Sequence, residues 1–254
     1  MLKAVVIIPA RFDSTRFPGK PLAVLRGKPL IQLVHEQVAF ANLIDDIFVA
    51  TDEKRIYDAV TSFGGKAVMT SSGHTSGTDR VSDVARDIDC DLIVNVQGDE
   101  PFIKPEMVDD VVKLLNDDQG ASVSTLAKRT ADVKEILSPN VVKVVIDNEG
   151  FAMYFSRSPI PYYRDEWKGL GSITFTNAHV EVFKHIGIYC FRKEALMKFS
   201  RMGQCRLELN ERLEQLRLLA AGIKIKVKET PYDTFGIDTV EDLRKAEEWL
   251  NLSL

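Results

Sequence analysis

The stretch Ala4-Val5-Val6-Ile7-Ile8 decides the fold, because it is a continuous run of apolar, mostly β-branched residues. Such a run predicts a strand that is buried on both faces, as in a parallel sheet covered by helices. Further strands are predicted at residues 46–50, 66–69 and 91–96, and helical patterns alternate with them at residues 29–41, 52–60, 79–88 and 105–115. This alternation predicts an α/β fold with a mostly parallel, doubly wound sheet.

The pattern changes after about residue 120. Two short apolar runs, residues 141–146 and 151–156, flank Asp147-Asn148-Glu149-Gly150, which predicts a β-hairpin. Residues 158–177 are rich in Pro, Gly and aromatic residues and predict an irregular excursion, and residues 182–191 predict a returning strand. We expect residues 1–254 to form a single domain, with an antiparallel insertion at about residues 140–190.

The C-terminal part returns to helices and one strand. Residues 206–221 place Leu209, Leu213, Leu216 and Ala220 on one face, which predicts one amphipathic helix with Gly222 as its C-cap. A strand at residues 223–227 and a helix from Val240 onward complete the predicted elements. At the second helix of the chain, Thr51 and Asp52 are the predicted N-cap candidates.

Bulk composition excludes several classes of protein. The chain has 254 residues, a net charge of −4 and a pI of about 5.7, so a nucleic acid is not the expected partner. The three cysteines lack C-x-x-C spacing, which argues against a structural zinc site and fits a reducing compartment. The N-terminus has no signal-peptide pattern and no apolar run is long enough to span a bilayer. We therefore expect a cytoplasmic protein without membrane insertion.

Positive charge is concentrated in the loop after the first predicted strand, at residues 9–22, which read PARFDSTRFPGKPL. Arg11, Arg16 and Lys20 lie at the carboxyl end of the strand, where open α/β sheets bind ligands, and they predict a polyphosphate site. The loop is not a Walker A motif, because Pro21 stands where that motif needs Ser or Thr. The alternative is a solvated, positively charged turn.

Acidic residues follow the buried strand at residues 91–96, in Gln97-Gly98-Asp99-Glu100-Pro101. Asp99 suits a Mg²⁺ ligand, since Mg²⁺ takes one or two carboxylates and shares its remaining positions with water and phosphate. For Glu100 we expect a turn or a helix cap. A second acidic candidate is Asp238, which on its own predicts a helix N-cap for Val240 onward and gains interest as a partner of Asp99.

Taken together, the motifs resemble those of the CMP-KDO synthetases (3-deoxy-manno-octulosonate cytidylyltransferases). The similarity begins with the R-x-x-S-T-R-x-P-G-K-P-L pattern of the loop at residues 9–22. It continues in order through HTSGTDR (74–80), NVQGDEP (95–101), NVVKVV (140–145), YFSR (154–157), HIGIY (185–189), LEQLR (213–217) and GIDT (236–239). These matches run nearly from end to end, which makes the set far more specific than any one motif.

The resemblance implies a glycosyltransferase-A-like fold and a reaction. A member of this family is expected to form CMP-KDO and pyrophosphate from CTP and KDO, an acidic eight-carbon sugar, for lipopolysaccharide synthesis. It is also expected to use Mg²⁺ and to be a homodimer, with the insertion at about residues 140–190 serving dimerisation and sugar binding.

The resemblance also implies roles for residues at the matching positions. Lys20, Asp99 and Asp238 would be catalytic, and Asp99 and Asp238 would hold the Mg²⁺. The nucleotide would be bound by Arg11, Arg16, Lys20, Ser76, Gly77, Thr78 and Arg80. The sugar would be bound by Gln97, Arg157, His185, Tyr189 and Glu211.

Three of the residues at the sugar end also have a plain structural interpretation. Arg157 could be a surface charge, His185 a core histidine, and Glu208 and Glu211 partners of Arg212 on a solvated helix face. Two regions depart from the family pattern: Arg206 stands where a Pro is usual, and residues 162–176 match no motif.

The alternatives are therefore of two kinds. The same reaction could use an analogue such as 8-amino-KDO or a sialic acid. The sialic acid alternative is less favoured, because Pro21-Leu22 follow Lys20, whereas the CMP-sialic acid synthetases typically have Asn directly after the corresponding Lys. An alternative of another class is a non-catalytic, nucleotide-binding regulatory module.

Overall fold

A computed structural model describes residues 2–13, 16–74, 76–167 and 181–252. Its strands are β1 (Ala4–Ala10), β2 (Val24–Leu25), β3 (Lys28–Pro29), β4 (Asp46–Thr51), β5 (Lys66–Met69), β6 (Leu92–Asn95), β7 (Val123–Thr130), β8 (Lys143–Ile146), β9 (Ala152–Ser156), β10 (Val182–Arg192) and β11 (Ile225–Glu229). Its helices are α1 (Leu30–Val38), α2 (Lys54–Ser62), α3 (Gly77–Arg86), α4 (Pro105–Asp117), α5 (Val133–Leu137), α6 (Lys193–Phe199), α7 (Arg206–Glu211), α8 (Gln215–Ala220) and α9 (Val240–Leu252), with a 3-10 turn at Lys20–Leu22.

One large sheet organises the chain, in the order β11-β7-β10-β6-β1-β4-β5. Strand β1 runs parallel to its neighbours β4 and β6, β4 runs parallel to β5, and β11 runs parallel to β7. Strand β10 is antiparallel to both β6 and β7, and the hairpin of β8 and β9 joins the sheet through β10. The mostly parallel α/β sheet with an antiparallel hairpin insertion is therefore confirmed.

Alternate residues of β1 feed two hydrophobic cores on opposite faces of the sheet. Val6 and Ile8 pack with buried residues of α1, α2 and α4, whereas Val5 and Ile7 pack with buried residues of α3, α6 and α8. All four side chains are at most 1% exposed. Burial of one such side chain contributes roughly 1.5–3 kcal/mol, so β1 is fixed from both sides and its carboxyl end is a rigid place for a site.

The predicted single helix over residues 206–221 is wrong. Helix α7 ends at Glu211, its C-cap Arg212 has a left-handed φ of 54°, and α8 begins only at Gln215. The reason is tertiary: the break lets the Arg217 guanidinium reach the Glu208 carboxylate, with N–O distances of 2.8 and 2.5 Å. On one straight helix these residues would lie on opposite faces, about 13.5 Å apart along the axis.

The predicted N-caps of α2 are also wrong. The cap is Glu53, whose side chain accepts a hydrogen bond from the Arg55 N–H. Thr51 is the last residue of β4 and is fully buried, and the Asp52 carboxylate instead receives Arg80 Nη2 at 2.8 Å. Asp52 is therefore the ion-pair partner of Arg80, one of the predicted nucleotide-binding residues.

Two further predictions are only partly covered by the described residues. The predicted irregular excursion at residues 158–177 lies outside them from residue 168 onward. The single-domain assignment over residues 1–254 stays a prediction. Within the described ranges, none of the helices combines the length and the apolar character that crossing a membrane requires.

The turn after α8 provides a stability test. Gly222 has a φ of +73° and open space around the position that a Cβ would take, so only backbone strain opposes a side chain there. We expect Gly222→Ala to lower the free energy of unfolding by about 1 kcal/mol. Gly203 is the matched control, because it too has open space but lies outside the left-handed region. Gly203→Ala should leave stability unchanged or raise it by up to about 1 kcal/mol. Equal urea midpoints for the two variants would contradict this account.

Candidate functional site

A cleft lies at the carboxyl ends of β1 and β6. It brings together most of the predicted site residues: Arg11, Arg16, Lys20, Ser76, Gly77, Arg80, Gln97, Asp99 and Asp238. Ligands of open α/β sheets bind at this edge, so the position agrees with the expectation from the sequence. The residues come from four separate segments of the chain, and only the fold makes them neighbours.

The Lys20 ammonium is the centre of the charged part of the cleft. Its Nζ lies 2.5 Å from Asp99 Oδ2 and 3.0 Å from Asp238 Oδ1, and Arg16 Nη2 lies 3.1 Å from Asp238 Oδ2. Burial acts to lower the pKa of Lys20, but the charges and hydrogen bonds of Asp99 and Asp238 outweigh it, and the pKa is raised. At Asp238 burial acts to raise the pKa, but Lys20 and Arg16 outweigh it, and the pKa is lowered. Lys20 is therefore charged and Asp238 ionised at neutral pH.

The loop that carries Lys20 is folded back on itself. Gly19 has a φ of +73°, and a Cβ there would lie 2.9 Å from the Phe12 ring. The Gly19 N–H donates to the Phe12 carbonyl at 2.9 Å, and the Arg55 guanidinium lies over the same ring, 3.9 Å from its centroid. These contacts fix the residue before Lys20, since only glycine fits both the backbone angle and the space.

Asp238 is positioned by the start of α9 and does not cap it. Thr239 is the cap: its Oγ1 accepts from the Asp242 N–H, and its own N–H donates to the Asp242 carboxylate. The interpretation of Asp238 as an N-cap is therefore wrong, and its carboxylate faces Lys20. The Ile237 N–H donates to the Asp99 carbonyl at 2.9 Å, which joins the two acidic loops directly.

Glu100 has a turn backbone, as expected, but an unusual side chain. Its N–H donates to the Gln97 carbonyl, whereas the cap of α4 is Lys104. Burial, followed by the negative charge of Asp99, raises the pKa of Glu100 to about 8, against an opposing hydrogen bond from Thr234. One oxygen of its carboxyl group has no hydrogen-bond partner among the described residues. Apart from its position next to Asp99, no feature of the sequence marks Glu100 as a buried acid.

The start of α3 forms a second wall of the cleft. Ser76 caps the helix by accepting from the Asp79 N–H at 3.1 Å, and a Cβ on Gly77 would lie 3.3 Å from the Pro9 ring. Arg80 is 3% exposed, and its guanidinium is held by Asp52 and, at 2.5 Å, by Thr70. Thr78 lies behind the wall at 1% exposure. The predicted nucleotide residues are thus brought together, but the Arg80 charge is already paired.

A chain of hydrogen bonds runs behind this wall and includes residues to which the sequence assigned no role. Gln97 Nε2 donates to Asn95 Oδ1 at 3.3 Å, Asn95 Nδ2 donates to Thr78 Oγ1 at 3.1 Å, and the Thr78 hydroxyl donates to the Glu214 carboxylate. Burial raises the pKa of Glu214, and hydrogen bonds from Thr78 and Ser76 oppose the rise. Residues 213–219 read LEQLRLL, and a single acid among these leucines is the signal that could have identified Glu214.

Arg157 and Glu211 are held by each other. The Glu211 carboxylate accepts from Ser156 Oγ at 2.6 Å and from the Arg157 N–H at 2.9 Å. Arg157 Nε donates to the Glu211 carbonyl and Nη1 to the Pro139 carbonyl, each at 2.7 Å. Glu211 thus pairs with the end of β9 and not with Arg212. These two predicted sugar residues are brought together, but they do not line the cleft that contains Asp99.

His185 and Tyr189 lie together on β10, with ring centroids 5.2 Å apart. Burial lowers the pKa of His185 to about 3, so the ring is neutral, and burial also raises the pKa of Tyr189. The Thr125 hydroxyl donates to the Ile188 carbonyl at 2.7 Å and therefore accepts from His185 Nε2, at 2.9 Å. This pattern places the proton of His185 on Nε2 and leaves Nδ1 as an acceptor.

Comparisons with known proteins agree with this architecture. Residues 5–225 match the family model described as Cytidylyltransferase. The 3-deoxy-manno-octulosonate cytidylyltransferase of Trichlorobacter lovleyi is 49% identical, over 97% of this chain and 98% of the relative. The enzyme of the same name from Geotalea uraniireducens is also 49% identical, over 98% of this chain and 99% of the relative.

Solved structures give the same result. A CMP:2-keto-3-deoxy-manno-octonic acid synthetase complexed with CTP superposes with a TM-score of 0.90 at 40% identity, covering 99% of this chain and 100% of the other. A 4-diphosphocytidyl-2C-methyl-D-erythritolsynthase from Anaerococcus prevotii has a TM-score of 0.64 at 18% identity, covering 98% of this chain and 96% of the other, and shows the fold alone.

The neutral His185 predicts a pH dependence of stability. Its pKa is about 3 in the folded chain and near 6.5 when unfolded, so the unfolded state binds the proton more tightly and stability falls as pH drops from about 6.5 towards 3. Between pH 7 and pH 5 this contributes roughly 1–2 kcal/mol. We expect His185→Gln to show a smaller loss of unfolding free energy over this interval than the wild type, as measured by urea denaturation. An equal loss in both proteins would show that His185 is not the cause.

Proposed function

Since this chain belongs to the cytidylyltransferase family, we propose that it forms CMP-KDO and pyrophosphate from CTP and 3-deoxy-manno-octulosonate. The observation that carries the proposal is the arrangement in the cleft, where two carboxylates converge on Lys20 beside Arg11 and Arg16. A site of this kind offers cations for a triphosphate and acidic oxygens for a metal within one space. The end-to-end similarity to relatives of this name supports the choice of both substrates.

We propose Mg²⁺ as the cofactor, held by Asp99 and Asp238. The donor set fits this ion, because both ligands are hard carboxylate oxygens and both already face one positive charge, the Lys20 ammonium. Within the described residues no group of three or more His, Cys, Asp or Glu side chains forms a complete protein cage. Two carboxylates that share the ion with water and phosphate are what Mg²⁺ commonly uses. When bound, the ion would lower the pKa of the attacking hydroxyl and offset phosphate charge.

The chain's own residues then supply positioning and charge. Arg11 and Arg16 bind the triphosphate, and Lys20 turns from the carboxylates to the phosphates and offsets the charge that builds up on the leaving pyrophosphate. The anomeric hydroxyl of the sugar attacks the α-phosphorus in line and loses its proton to solvent, and the bond to pyrophosphate breaks. No side chain becomes a covalent nucleophile, so catalysis rests on orientation and electrostatics.

The nucleotide and the sugar contact different walls of the cleft. Ser76, Gly77, Thr78 and Arg80 bind the nucleotide or support its wall, and Gln97 faces the sugar from within the same cleft. Arg157, His185, Tyr189 and Glu211 provide the remaining sugar contacts. Since Arg157 donates to backbone carbonyls, and His185 offers only Nδ1, this end must adjust when the sugar binds.

We also propose a cytoplasmic homodimer. Cys90, Cys190 and Cys205 are free thiols, which fits a reducing compartment. The β8–β9 hairpin exposes Met153, at 62%, on a face that a second copy could cover. Light scattering of the purified protein at several concentrations measures the oligomeric state, and a mass of one chain throughout would refute the dimer.

The sugar is tested by pyrophosphate release with CTP, Mg²⁺ and three acids: KDO, 8-amino-KDO and N-acetylneuraminic acid. We expect release with KDO, at a kcat/KM well above that for the other two. Release with another acid alone would keep the reaction and correct the sugar. No release with any acid, from a folded protein that binds CTP, would favour the regulatory module.

The acidic pair is tested by Asp99→Asn. Replacement removes one ligand charge without changing the size of the side chain, so kcat should fall roughly 10²–10³-fold. Asp89→Asn is the matched control, because the Asp89 side chain is fully exposed and remote from the cleft, and its turnover should equal that of the wild type. Circular dichroism verifies folding of both variants. Turnover of Asp99→Asn close to the wild-type value would exclude Asp99 as a metal ligand.

A further inference from the structure

Behind the cleft wall, the direction of each hydrogen bond is fixed by one carboxylate. Glu214, when ionised, has acceptors only, and both the Ser76 and the Thr78 hydroxyl donate to it. Each hydroxyl has a single hydrogen, so both can otherwise only accept. Ser76 accepts from the Asp79 N–H, and Thr78 accepts from Asn95 Nδ2.

The direction of these hydrogen bonds also determines the orientation of the Gln97 side-chain amide. Because Thr78 gives its only proton to Glu214, Asn95 must present its NH₂ to Thr78 and its Oδ1 to Gln97. Gln97 must then present Nε2 to Asn95, so its Oε1 points away from Asn95 and towards Gly77. This oxygen lies 3.7 Å from the position that a Cβ on Gly77 would take. Gly77 and Gln97 both line the cleft, so the carbonyl oxygen of Gln97 is on the cleft side.

Burial makes the reverse orientation costly. Asn95 is 0% and Thr78 1% exposed, so water cannot replace a lost partner at either residue. If the Asn95 amide were flipped, its Oδ1 would face the Thr78 hydroxyl oxygen, whose proton is already given to Glu214. Asn95 Oδ1 and Thr78 Oγ1 would then both be buried acceptors without a donor between them. The chain therefore has one stable direction as long as Glu214 accepts at its end.

We propose that Glu214 is a positioning residue for sugar recognition, which acts through Thr78 and Asn95 to make Gln97 present a hydrogen-bond acceptor to the cleft. The proposal rests on the function proposed above, because its ligand is a hydroxyl group of the acidic sugar. A polyhydroxylated sugar offers donors that a carbonyl oxygen can accept, and Gln97 lies in the same segment as Asp99. Glu214 does not line the cleft, but it thus determines whether Gln97 presents a hydrogen-bond acceptor or a donor to the sugar.

The first measurement needs no substrate. In the ¹⁵N-labelled free protein, the side-chain amide signals of Gln97 are identified as those missing from Gln97→Ala. We expect Glu214→Met and the nearly isosteric Thr78→Val to shift these signals, because both break the chain. Glu247→Met, at an exposed position on α9, is the matched control and should not shift them. Unchanged Gln97 signals in the folded Glu214→Met and Thr78→Val proteins would overturn the proposal.

The second measurement separates positioning from general structural support. We expect Glu214→Met to raise the KM for the sugar about 10-fold, the equivalent of one hydrogen bond, while the KM for CTP stays within about 2-fold. Glu214→Gln retains an oxygen that accepts from Thr78 and should restore the sugar KM to within about 3-fold of the wild type. Combining Glu214→Met with Gln97→Ala should raise the sugar KM no further than Gln97→Ala alone.

The outcomes distinguish failure of the Glu214 positioning role from failure of the proposed enzymatic function. Equal increases in both KM values, or independent effects of Glu214→Met and Gln97→Ala, would overturn the positioning role even with a functioning enzyme. Absence of turnover with every acid in the wild type would refute the proposed function. The shifts of the Gln97 signals would in that case still decide whether Glu214 sets the orientation of the amide.

Discussion

The contact of Lys20 with both Asp99 and Asp238 is the interaction on which the cleft depends. Two carboxylates at such close range repel each other unless a cation lies between them. The three residues come from the 3-10 turn after β1, the loop after β6 and the residue that precedes the N-cap of α9. Their side chains are 14%, 26% and 44% exposed, so water screens the attraction only in part. The ammonium therefore holds together three segments that are far apart in sequence.

The scaffold makes this arrangement possible by being rigid on both faces. Strands β1 and β6 are parallel neighbours, so their carboxyl ends deliver the loop of Lys20 and the loop of Asp99 to the same edge. Helix α9 is attached to that edge by a separate apolar cluster, in which Ile237 and Ala246 pack with Leu25 and Leu30. Asp238 is thereby fixed relative to the same small hairpin that follows Lys20. Packing at a distance from the cleft thus sets the distances inside it.

The sequence predicted those parts of the molecule that local patterns encode. Apolar runs identified β1, β4, β5 and β6, and burial on both faces gives β1 and β6 in particular a composition that is easy to recognise. Strand β7 was missed, since its inward positions include Ser124 and Thr125, which are fully buried but satisfied by carbonyls of other elements. The break between α7 and α8 was missed for a related reason. It depends on the pairing of Glu208 with Arg217, which no helical periodicity reveals.

The site was predictable to a similar degree. Cationic and acidic motifs at strand ends identified Arg11, Lys20 and Asp99, because strand ends converge in any parallel sheet. What the sequence could not show is which charges are already paired, as Arg80 is with Asp52. Nor could it show that Glu214 supports the amide of Gln97 from behind. Such roles depend on the direction of hydrogen bonds between elements, and a sequence lists donors and acceptors without their partners.

The same central contact constrains how the cleft can work. Lys20 cannot neutralise Asp99 and Asp238 and at the same time serve a phosphate at full strength, because its three donors are shared among them. A ligand that draws the ammonium away leaves two carboxylates facing each other, and partial burial makes that unfavourable. The exchange becomes favourable when a second cation takes the place that Lys20 leaves. Positive charge between the carboxylates thus stabilises the cleft, whichever group supplies it.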